Sequence, residues 1–327
     1  MVTLRAMAQP TPPPLDPEAG AIWRAVSDGL FNGGGPLVDA EHLTEMRSFE
    51  LVDPKVLIAN HGYVEELHHF EVEGATLPAS VLRPEAAVGP LPAICFIHGG
   101  GMVGGSRYGV SEPLKLAAEQ GWAVVSIDYR LAPEHPAPTP ASDCVAGVRW
   151  CMGAAEELGL DPSRIVLMGQ SAGGGLAASV ALQLRDGGGA MLAGLFLACP
   201  MLDDRMATVS ANQFGEDLLW TSSANRFGWG SLLGDRLGTD AVSAYDAPGR
   251  ATELGGLPPT FIDVGSADLF RDEDVAFAST IWASGGSCEL HVWPGGYHGF
   301  EILAVGTAMS EASFEARRRW LARVLSA

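Results

Sequence analysis

The sequence has 327 residues, of which 47% are hydrophobic and 18% are charged, so the chain can build one large core or two ordinary ones. Its 20 Lys and Arg residues stand against 39 Asp and Glu residues, and the net charge of -19 argues against nucleic acid or an anionic membrane as a partner. Met1 to Pro14 lack the apolar core of a signal peptide, and no apolar run could span a bilayer. We therefore predict a cytoplasmic protein with a loose N-terminal tail.

The cysteines are odd in number and contain no C-x-x-C pair; they are Cys95, Cys144, Cys151, Cys199 and Cys288. Most of them stand in apolar or helical surroundings. We therefore expect buried free thiols rather than disulfides.

The N-terminal part changes its periodicity once. Asp16 to Asp28 and Pro36 to Leu51 carry apolar residues at spacings of three and four, which predicts two short helices separated by a glycine-rich turn. From Gly62 to Arg83 the pattern alternates with period two. This pattern predicts two edge strands joined near Gly74.

The rest of the chain alternates between short apolar runs and helix-favouring runs. The predicted strands are Ala93 to Ile97, Ala123 to Ile127, Ile165 to Met168, Leu195 to Ala198, Thr260 to Val264 and Glu289 to Val292. The predicted helices are Glu112 to Gln120, Ala141 to Leu158, Leu176 to Leu184, Asp272 to Ala283 and Ser310 to Leu325. Alternating units of this length predict an α/β fold with a mostly parallel sheet and helices on both faces.

The alternation breaks once, between Pro200 and Pro258, in an interval rich in aromatic residues and without a clear strand. An insertion of this kind is typical of a cap over an active site. An ordinary helical excursion packed on the core is the alternative.

A nucleophile elbow is predicted where the strand Ile165 to Met168 runs into Gly169-Gln170-Ser171-Ala172-Gly173 and then a helix. The flanking glycines leave room for strand and helix to approach, and the sharp turn exposes the Ser171 hydroxyl. A lone Gly-x-Ser-x-Gly also fits a plain tight turn, so the interpretation depends on partners elsewhere in the chain.

The first partner is the run His98-Gly99-Gly100-Gly101, directly after a predicted strand. Glycine N–H groups at the carboxyl end of a strand are unobstructed and can point at a common spot. We assign the N–H groups of Gly100, Gly101 and Ala172 to an oxyanion hole.

A phosphate-binding loop is the competing interpretation of this run. Gly99, Gly101 and Gly104 match G-x-G-x-x-G, and Asp128 ends the next predicted strand. That fingerprint opens a helix, however, whereas the next helix is predicted to start only near Glu112.

The general base is predicted to be His298, which lies in a glycine-flanked loop after the last strand. Its acid partner is predicted to be Asp268, just past Val264. Asp263 lies inside a strand, and Asp272 and Glu273 fall in the first turn of a helix, where acidic residues simply favour the helix dipole. The alternative for His298 is a histidine in a surface turn. The alternative for Asp268 is a helix-capping carboxylate.

Five motifs in this order resemble the hormone-sensitive-lipase-like carboxylesterases, the bacterial esterase family IV, over roughly Leu91 to the C-terminus. The motifs are His98-Gly99-Gly100-Gly101, the run Asp128 to Pro136, Gly169-Gln170-Ser171-Ala172-Gly173-Gly174, Asp268 before Arg271-Asp272-Glu273, and Tyr297-His298-Gly299-Phe300. The resemblance implies an α/β-hydrolase fold with a helical cap and a Ser171, Asp268 and His298 triad. Gln170 departs from the Asp or Thr of many members, which leaves the hydrogen bonds beside the nucleophile open.

The resemblance also implies how the chain is divided. Residues 1–52 and 201–257 would form the cap, and residues 53–200 and 258–327 would form the hydrolase core. A homodimer through an edge strand or a helix is compatible with the resemblance.

The expected activity is that of a serine carboxylesterase acting on short- to medium-chain esters, with no metal and no organic cofactor. Apolar wall candidates for the substrate pocket are Phe214, Leu219 and Trp220. Lactone or arylformamide hydrolysis would use the same residues. A non-catalytic small-molecule receptor of the same fold is a further alternative, against which the presence of His298 argues, since the plant gibberellin receptors that resemble this family have lost that histidine.

Overall fold

The computed structural model describes residues 10–48, 52–189 and 192–326. Within these residues one sheet of eight strands has the order β1-β2-β4-β3-β5-β6-β7-β8. The strands are β1 (Tyr63–Val72), β2 (Ala75–Pro84), β3 (Leu91–Ile97), β4 (Ala123–Ile127), β5 (Leu160–Gln170), β6 (Gly194–Ala198), β7 (Thr260–Gly265) and β8 (Cys288–Trp293).

The sheet is parallel from β4 to β8, and its first two strands are antiparallel. β1 and β2 form the predicted hairpin, with Val72 opposite Ala75 across the turn at Gly74, and β2 pairs antiparallel with β4. All six strands predicted beyond the hairpin are present, and β4 has the predicted bounds. The predicted α/β fold with a mostly parallel sheet is therefore confirmed.

Each face of the sheet carries its own hydrophobic core. Because side chains alternate along a strand, Cys95 and Ile97 of β3 join one cluster whereas Ile94 and Phe96 join the other. Both faces of β3 are buried, as expected of a central parallel strand covered by helices on both sides.

Ten α-helices lie among the described residues. They are α1 (Pro17–Leu30), α2 (Leu43–Ser48), α3 (Pro54–Asn60), α4 (Ser111–Ala118), α5 (Thr139–Gly153), α6 (Ala172–Asp186), α7 (Ser222–Leu233), α8 (Arg271–Ala283), α9 (Phe300–Leu303) and α10 (Ala308–Leu325). None of them is long and apolar enough to cross a lipid bilayer.

Three predicted helices are wrong in extent. The helix expected over Leu176 to Leu184 is α6, which begins earlier, at Ala172, and ends at Asp186. The helix expected over Pro36 to Leu51 is present only as α2, with residues 49–51 outside the described residues, and α3 was not predicted. The helix expected to reach Leu158 ends at Gly153, since the chain turns through Gly159 at a φ of +64° into β5. Most of the predicted N-terminal tail, residues 1–9, also lies outside the described residues.

The interval from 201 to 257 is described throughout and contains α7 and short 3-10 turns without a strand, as predicted. The N-terminal helix binds to it, because the Trp23 indole donates a hydrogen bond to the Asp217 carbonyl at 2.7 Å. Gly35 N–H also donates to the Glu216 carbonyl at 2.9 Å. These contacts support the predicted cap of two segments, and the exact division into cap and core stays a prediction.

The five cysteines are free thiols, as predicted from their number and surroundings. Four of them are buried, and Cys288 is half-buried.

Candidate active site

The turn after the central strand β5 has the backbone conformation of a nucleophile elbow. Ser171 lies between β5 and α6 at φ 56° and ψ -122°, outside the regions that residues with a Cβ ordinarily adopt. A Cβ at Gly173 would overlap the carbonyl oxygen of Ile97, and a Cβ at Gly169 would overlap that of Gly173. The glycines on either side of Ser171 are therefore required by close packing, as the motif predicts.

The structure brings Ser171, His298 and Asp268 together from three separate loops. His298 Nε2 lies 3.0 Å from Ser171 Oγ, and His298 Nδ1 lies 2.8 Å from Asp268 Oδ2. Asp268 Oδ1 also accepts the N–H of Phe270 at 3.0 Å. The three side chains are nearly closed off from solvent, with exposed fractions of 6%, 8% and 1%.

The position of the histidine is set by the loop that follows β8. Gly299 adopts φ +74° directly after His298, and Ala267 N–H donates to the Gly296 carbonyl, which ties the aspartate loop to the histidine loop. The ring of Phe270 contacts the imidazole edge-on, with centroids 5.3 Å apart. The imidazole is thus positioned by the edge-to-face contact with Phe270 and by hydrogen bonds at both ring nitrogens.

The electrostatic surroundings favour a basic imidazole. Burial alone lowers the pKa of His298, but the charge of Asp268, the hydrogen bond to it and the charge of Glu301 outweigh burial. The pKa of His298 therefore lies above its ordinary value. A base with a raised pKa accepts the Ser171 proton more readily than a free imidazole.

The glycine run after β3 forms a tight turn beside Ser171. The Gly100 carbonyl accepts the N–H groups of Val103 and Gly104, and Gly100 and Gly101 both have positive φ. In the part of the chain that the structure describes, the N–H groups of Gly100, Gly101 and Ala172 donate to no protein acceptor. Unpaired N–H donors are what an oxyanion hole offers, and their assignment to one stays a prediction.

The run does not have the geometry of a phosphate-binding loop. A dinucleotide fingerprint opens a helix, whereas this loop turns back and α4 begins only at Ser111. Asp128, which would be the ribose ligand of such a site, is paired with the Arg107 guanidinium at 3.1 Å.

Two of the three predicted pocket residues lie against this site. The Trp220 ring packs on Gly101, where an added Cβ would overlap it, and its centroid is 6.4 Å from that of His298. The Leu219 side chain packs on Gly299. Phe214 is buried in the hydrophobic core, and no ring contact among the described residues joins it to His298.

The other acidic candidates are engaged elsewhere. Asp263 lies within β7 and holds the Arg317 guanidinium at 2.8 and 3.0 Å. Asp272 accepts the N–H of Ser210, and Glu273 accepts the N–H of Leu202. Asp268 is the acid that reaches His298, because the strand before it ends at Gly265 and the chain turns toward the histidine loop.

A group of ligand-type side chains surrounds the imidazole. Cys199, Asp268 and His298 have possible ligand atoms within 4.8 Å of one another. Burial, followed by the charges of Glu301 and Asp268, raises the pKa of the Cys199 thiol well above its ordinary value. A protonated thiol is a poor metal ligand, and Asp268 already binds His298. These residues therefore suit proton transfer at His298 better than metal binding.

Three residues around His298 were not predicted to lie there, namely Phe270, Cys199 and Glu301. Glu301 stands three residues after the histidine, so its proximity could have been inferred from helical spacing. The contacts of Phe270 and Cys199 depend on how separate strands end, for which a single sequence carries no signal.

Comparison with known proteins agrees with this fold. A family model described as the alpha/beta hydrolase fold matches residues 94–302. Carboxylesterase NlhH of Mycobacterium tuberculosis is 37% identical over 254 residues, which cover 75% of this chain and 77% of that protein. The ethyl acetate hydrolase of Pseudomonas putida is 28% identical over 91% of this chain and 95% of its own length.

Among solved structures, a bacterial heroin esterase superposes with a TM-score of 0.83 at 35% identity, over 95% of this chain and 98% of that chain. The chain therefore belongs to the α/β-hydrolase fold family. Within that family it is a carboxylic ester hydrolase, and the predicted resemblance to the hormone-sensitive-lipase-like carboxylesterases is confirmed.

Proposed function

We propose that this protein hydrolyses short- to medium-chain carboxylic esters through an acyl-enzyme on Ser171. The proposal rests on one observation, the chain of hydrogen bonds from Ser171 through His298 to Asp268. In this series of hydrogen bonds the Ser171 alcohol is the nucleophile, the His298 imidazole is the base, and the Asp268 carboxylate orients the imidazole.

In the first half of the reaction, His298 Nε2 takes the proton of Ser171 Oγ as that oxygen attacks the ester carbonyl. Asp268 accepts a hydrogen bond from the Nδ1–H group, which leaves Nε2 without a proton as the base and stabilises the imidazolium that forms. The negative charge on the former carbonyl oxygen is stabilised by the N–H groups of Gly100, Gly101 and Ala172. The tetrahedral intermediate then collapses, and the imidazolium protonates the leaving alcohol.

In the second half, a water molecule replaces the alcohol. His298 removes one proton from this water, the resulting hydroxide attacks the acyl-enzyme, and the second tetrahedral intermediate releases the carboxylic acid and returns the proton to Ser171. All steps are acid–base and nucleophilic steps at these side chains.

Labelling with a fluorophosphonate probe tests the nucleophile directly. We expect mass spectrometry to find the phosphonyl group on Ser171 of the wild type, and His298→Ala to label far more slowly because the base is lost. His291→Ala is the matched control, since His291 lies in β8 and pairs with Glu289 at 3.0 Å. Labelling at another residue, or equal labelling of His298→Ala, would contradict the proposal.

The proposed preference for short acyl chains follows from the close packing of the cap on the site. Trp220 contacts both Gly101 and the His298 ring, and Leu219 contacts Gly299, so little space remains for a long chain. The relative named for ethyl acetate supports the same range.

A series of p-nitrophenyl esters measures this preference. We expect kcat/KM to be highest for acyl chains of about two to six carbons and to fall at least about tenfold for chains of twelve or more, because Trp220 and Leu219 pack directly on the glycines of the site. Trp220→Ala is expected to move the optimum to longer chains, whereas Trp282→Ala, which changes a tryptophan that is 47% exposed, leaves it unchanged. A wild-type optimum at long chains would refute this part of the proposal.

A further inference from the structure

The residue before the nucleophile is hydrogen-bonded to the helix that follows the histidine. Gln170 Nε2 donates to Glu301 Oε1 at 3.1 Å, across 131 positions of sequence. Gln170 precedes Ser171 directly, and Glu301 lies in the first turn of α9, three residues after His298. This hydrogen bond therefore connects the nucleophile turn to the histidine loop by a path that does not pass through the triad.

Glu301 is buried, with 1% of its surface exposed, and it faces two positive or titratable groups. Arg317 Nη2 lies 3.6 Å from Glu301 Oε1, and the charge of Glu301 raises the pKa of His298. The carboxylate of Glu301 is thus a second negative charge near the imidazole, in addition to Asp268. A buried charge acts strongly at short distance because little water screens it.

Four polar groups, each from a different part of the fold, face His298. Asp268 faces it from the loop after β7, Ser171 from the elbow, Cys199 from the end of β6 and Glu301 from α9. The rings of Trp220 and Phe270 carry no charge. Of these neighbours only the two carboxylates bear a charge, so Glu301 is the one charged group near His298, among the described residues, that does not bind it directly.

Arg317 does not cancel this charge, because three carboxylates surround its guanidinium. Asp263 binds Arg317 through both of its oxygens, and Glu112 binds Nη1. Burial, with the charges of Glu301 and Asp263, raises the pKa of Glu112 to about 8 although Arg317 lowers it. At neutral pH Glu112 is therefore largely protonated, and Asp263 and Glu301 share one positive charge.

We propose that Gln170 and Glu301 are a positioning pair, in which the hydrogen bond fixes the elbow relative to the histidine loop and the Glu301 charge, together with the larger effect of Asp268, moves the acid limit of catalysis to higher pH. The inference rests on the proposed function of Ser171 and His298. It accounts for the glutamine at this position, since a carboxylate there would lie against that of Glu301 and repel it.

Three variants separate the charge from the hydrogen bond. Glu301→Gln keeps an acceptor for Gln170 but removes the charge, and Gln170→Met removes the hydrogen bond but keeps the charge. Glu112→Gln is the matched control, because it contacts the same arginine without being among the charges that affect His298. The pH profiles of kcat/KM are measured with p-nitrophenyl acetate, with circular dichroism to confirm folding.

For Glu301→Gln we expect the acid limb of kcat/KM to move to lower pH by about half to one unit, since loss of the negative charge lowers the pKa of the base. For Gln170→Met we expect kcat to fall about 3- to 30-fold with KM and the acid limb unchanged, because the elbow is less well positioned. For Glu112→Gln we expect the wild-type acid limb.

An unchanged acid limb in Glu301→Gln, or an equal shift in Glu112→Gln, would overturn the charge role of Glu301. Wild-type kcat in Gln170→Met would overturn the positioning role. Either result leaves the proposed function intact as long as Ser171→Ala is inactive, whereas an active Ser171→Ala would remove the basis of both proposals.

Discussion

Ser171→Ala is expected to lower kcat for p-nitrophenyl acetate by about five to six orders of magnitude, to the level that bound substrate and backbone donors alone support. Without the hydroxyl no acyl-enzyme forms, and His298 Nε2 loses its partner at 3.0 Å. The fold should be retained, because one oxygen is removed from a site that packs against backbone. Steady-state kinetics with purified protein measures the loss.

Ser179→Ala is the matched control for this variant. Ser179 is buried in α6, the helix that Ser171 precedes, with 1% of its surface exposed, and its hydroxyl donates to the Tyr245 carbonyl at 2.6 Å. It should retain wild-type kcat, since that bond does not involve the triad. Activity of Ser171→Ala above about one per cent of wild type would refute the proposed nucleophile.

Arg317→Met is expected to reduce the free energy of unfolding by about 3–5 kcal/mol. Arg317 is 1% exposed and is the positive partner of Asp263, Glu112 and Glu301 behind the triad. Methionine fills much of the same volume but leaves three acidic side chains buried together without a counter-charge. The loss is measured by urea unfolding at neutral pH, as the shift of the transition midpoint relative to wild type.

The same variant should also change how stability depends on pH. Without Arg317 the carboxylates hold their protons more strongly in the folded than in the unfolded state, which means raised pKa values. The folded state then binds more protons, so the stability of Arg317→Met should decrease as the pH rises through these pKa values. The loss of unfolding free energy relative to wild type is therefore expected to be smaller at about pH 5 than at about pH 8.

Arg318→Met is the control for the loss of a positive charge on α10. Arg318 lies on the exposed side of the helix and pairs with Glu315, so its replacement should leave unfolding nearly unchanged. A wild-type midpoint for Arg317→Met, or equal losses for both variants, would show that the buried network does not support the fold as described.

Local sequence was sufficient for most of the secondary structure. The strand Ala123–Ile127 is found with its predicted bounds, because a mostly apolar run, interrupted only by Ser126, is buried on both faces in the interior of a mostly parallel sheet. The elbow was also predictable, since its Gly-x-Ser-x-Gly pattern is contiguous in sequence, although Gly173 is required by close contact with the distant carbonyl of Ile97. Helix ends were less readable, and α5 stops at Gly153 although Ala154 to Leu158 contain good helix formers.

Local sequence distinguished the two acidic candidates for the partner of His298 only by their position relative to a strand end. Asp263 and Asp268 stand five positions apart, and their position relative to the strand end favoured Asp268 as the partner of His298. The structure gives the physical counterpart, because Asp263 is bound by Arg317 of α10, while Asp268 lies beyond the strand and reaches the imidazole at 2.8 Å. The sequence carried no sign that Arg317 would be the residue that holds Asp263.

The amino-acid sequence by itself determined the α/β architecture, the elbow and the order of the candidate triad, because these depend on periodicity and on short contiguous motifs. Tertiary structure alone decided that Trp220 packs over Gly101, that Arg317 is shared by three carboxylates, and that Gln170 meets Glu301. Such contacts arise when distant segments close on one another, and the closing is set by the packing of the whole sheet and its helices.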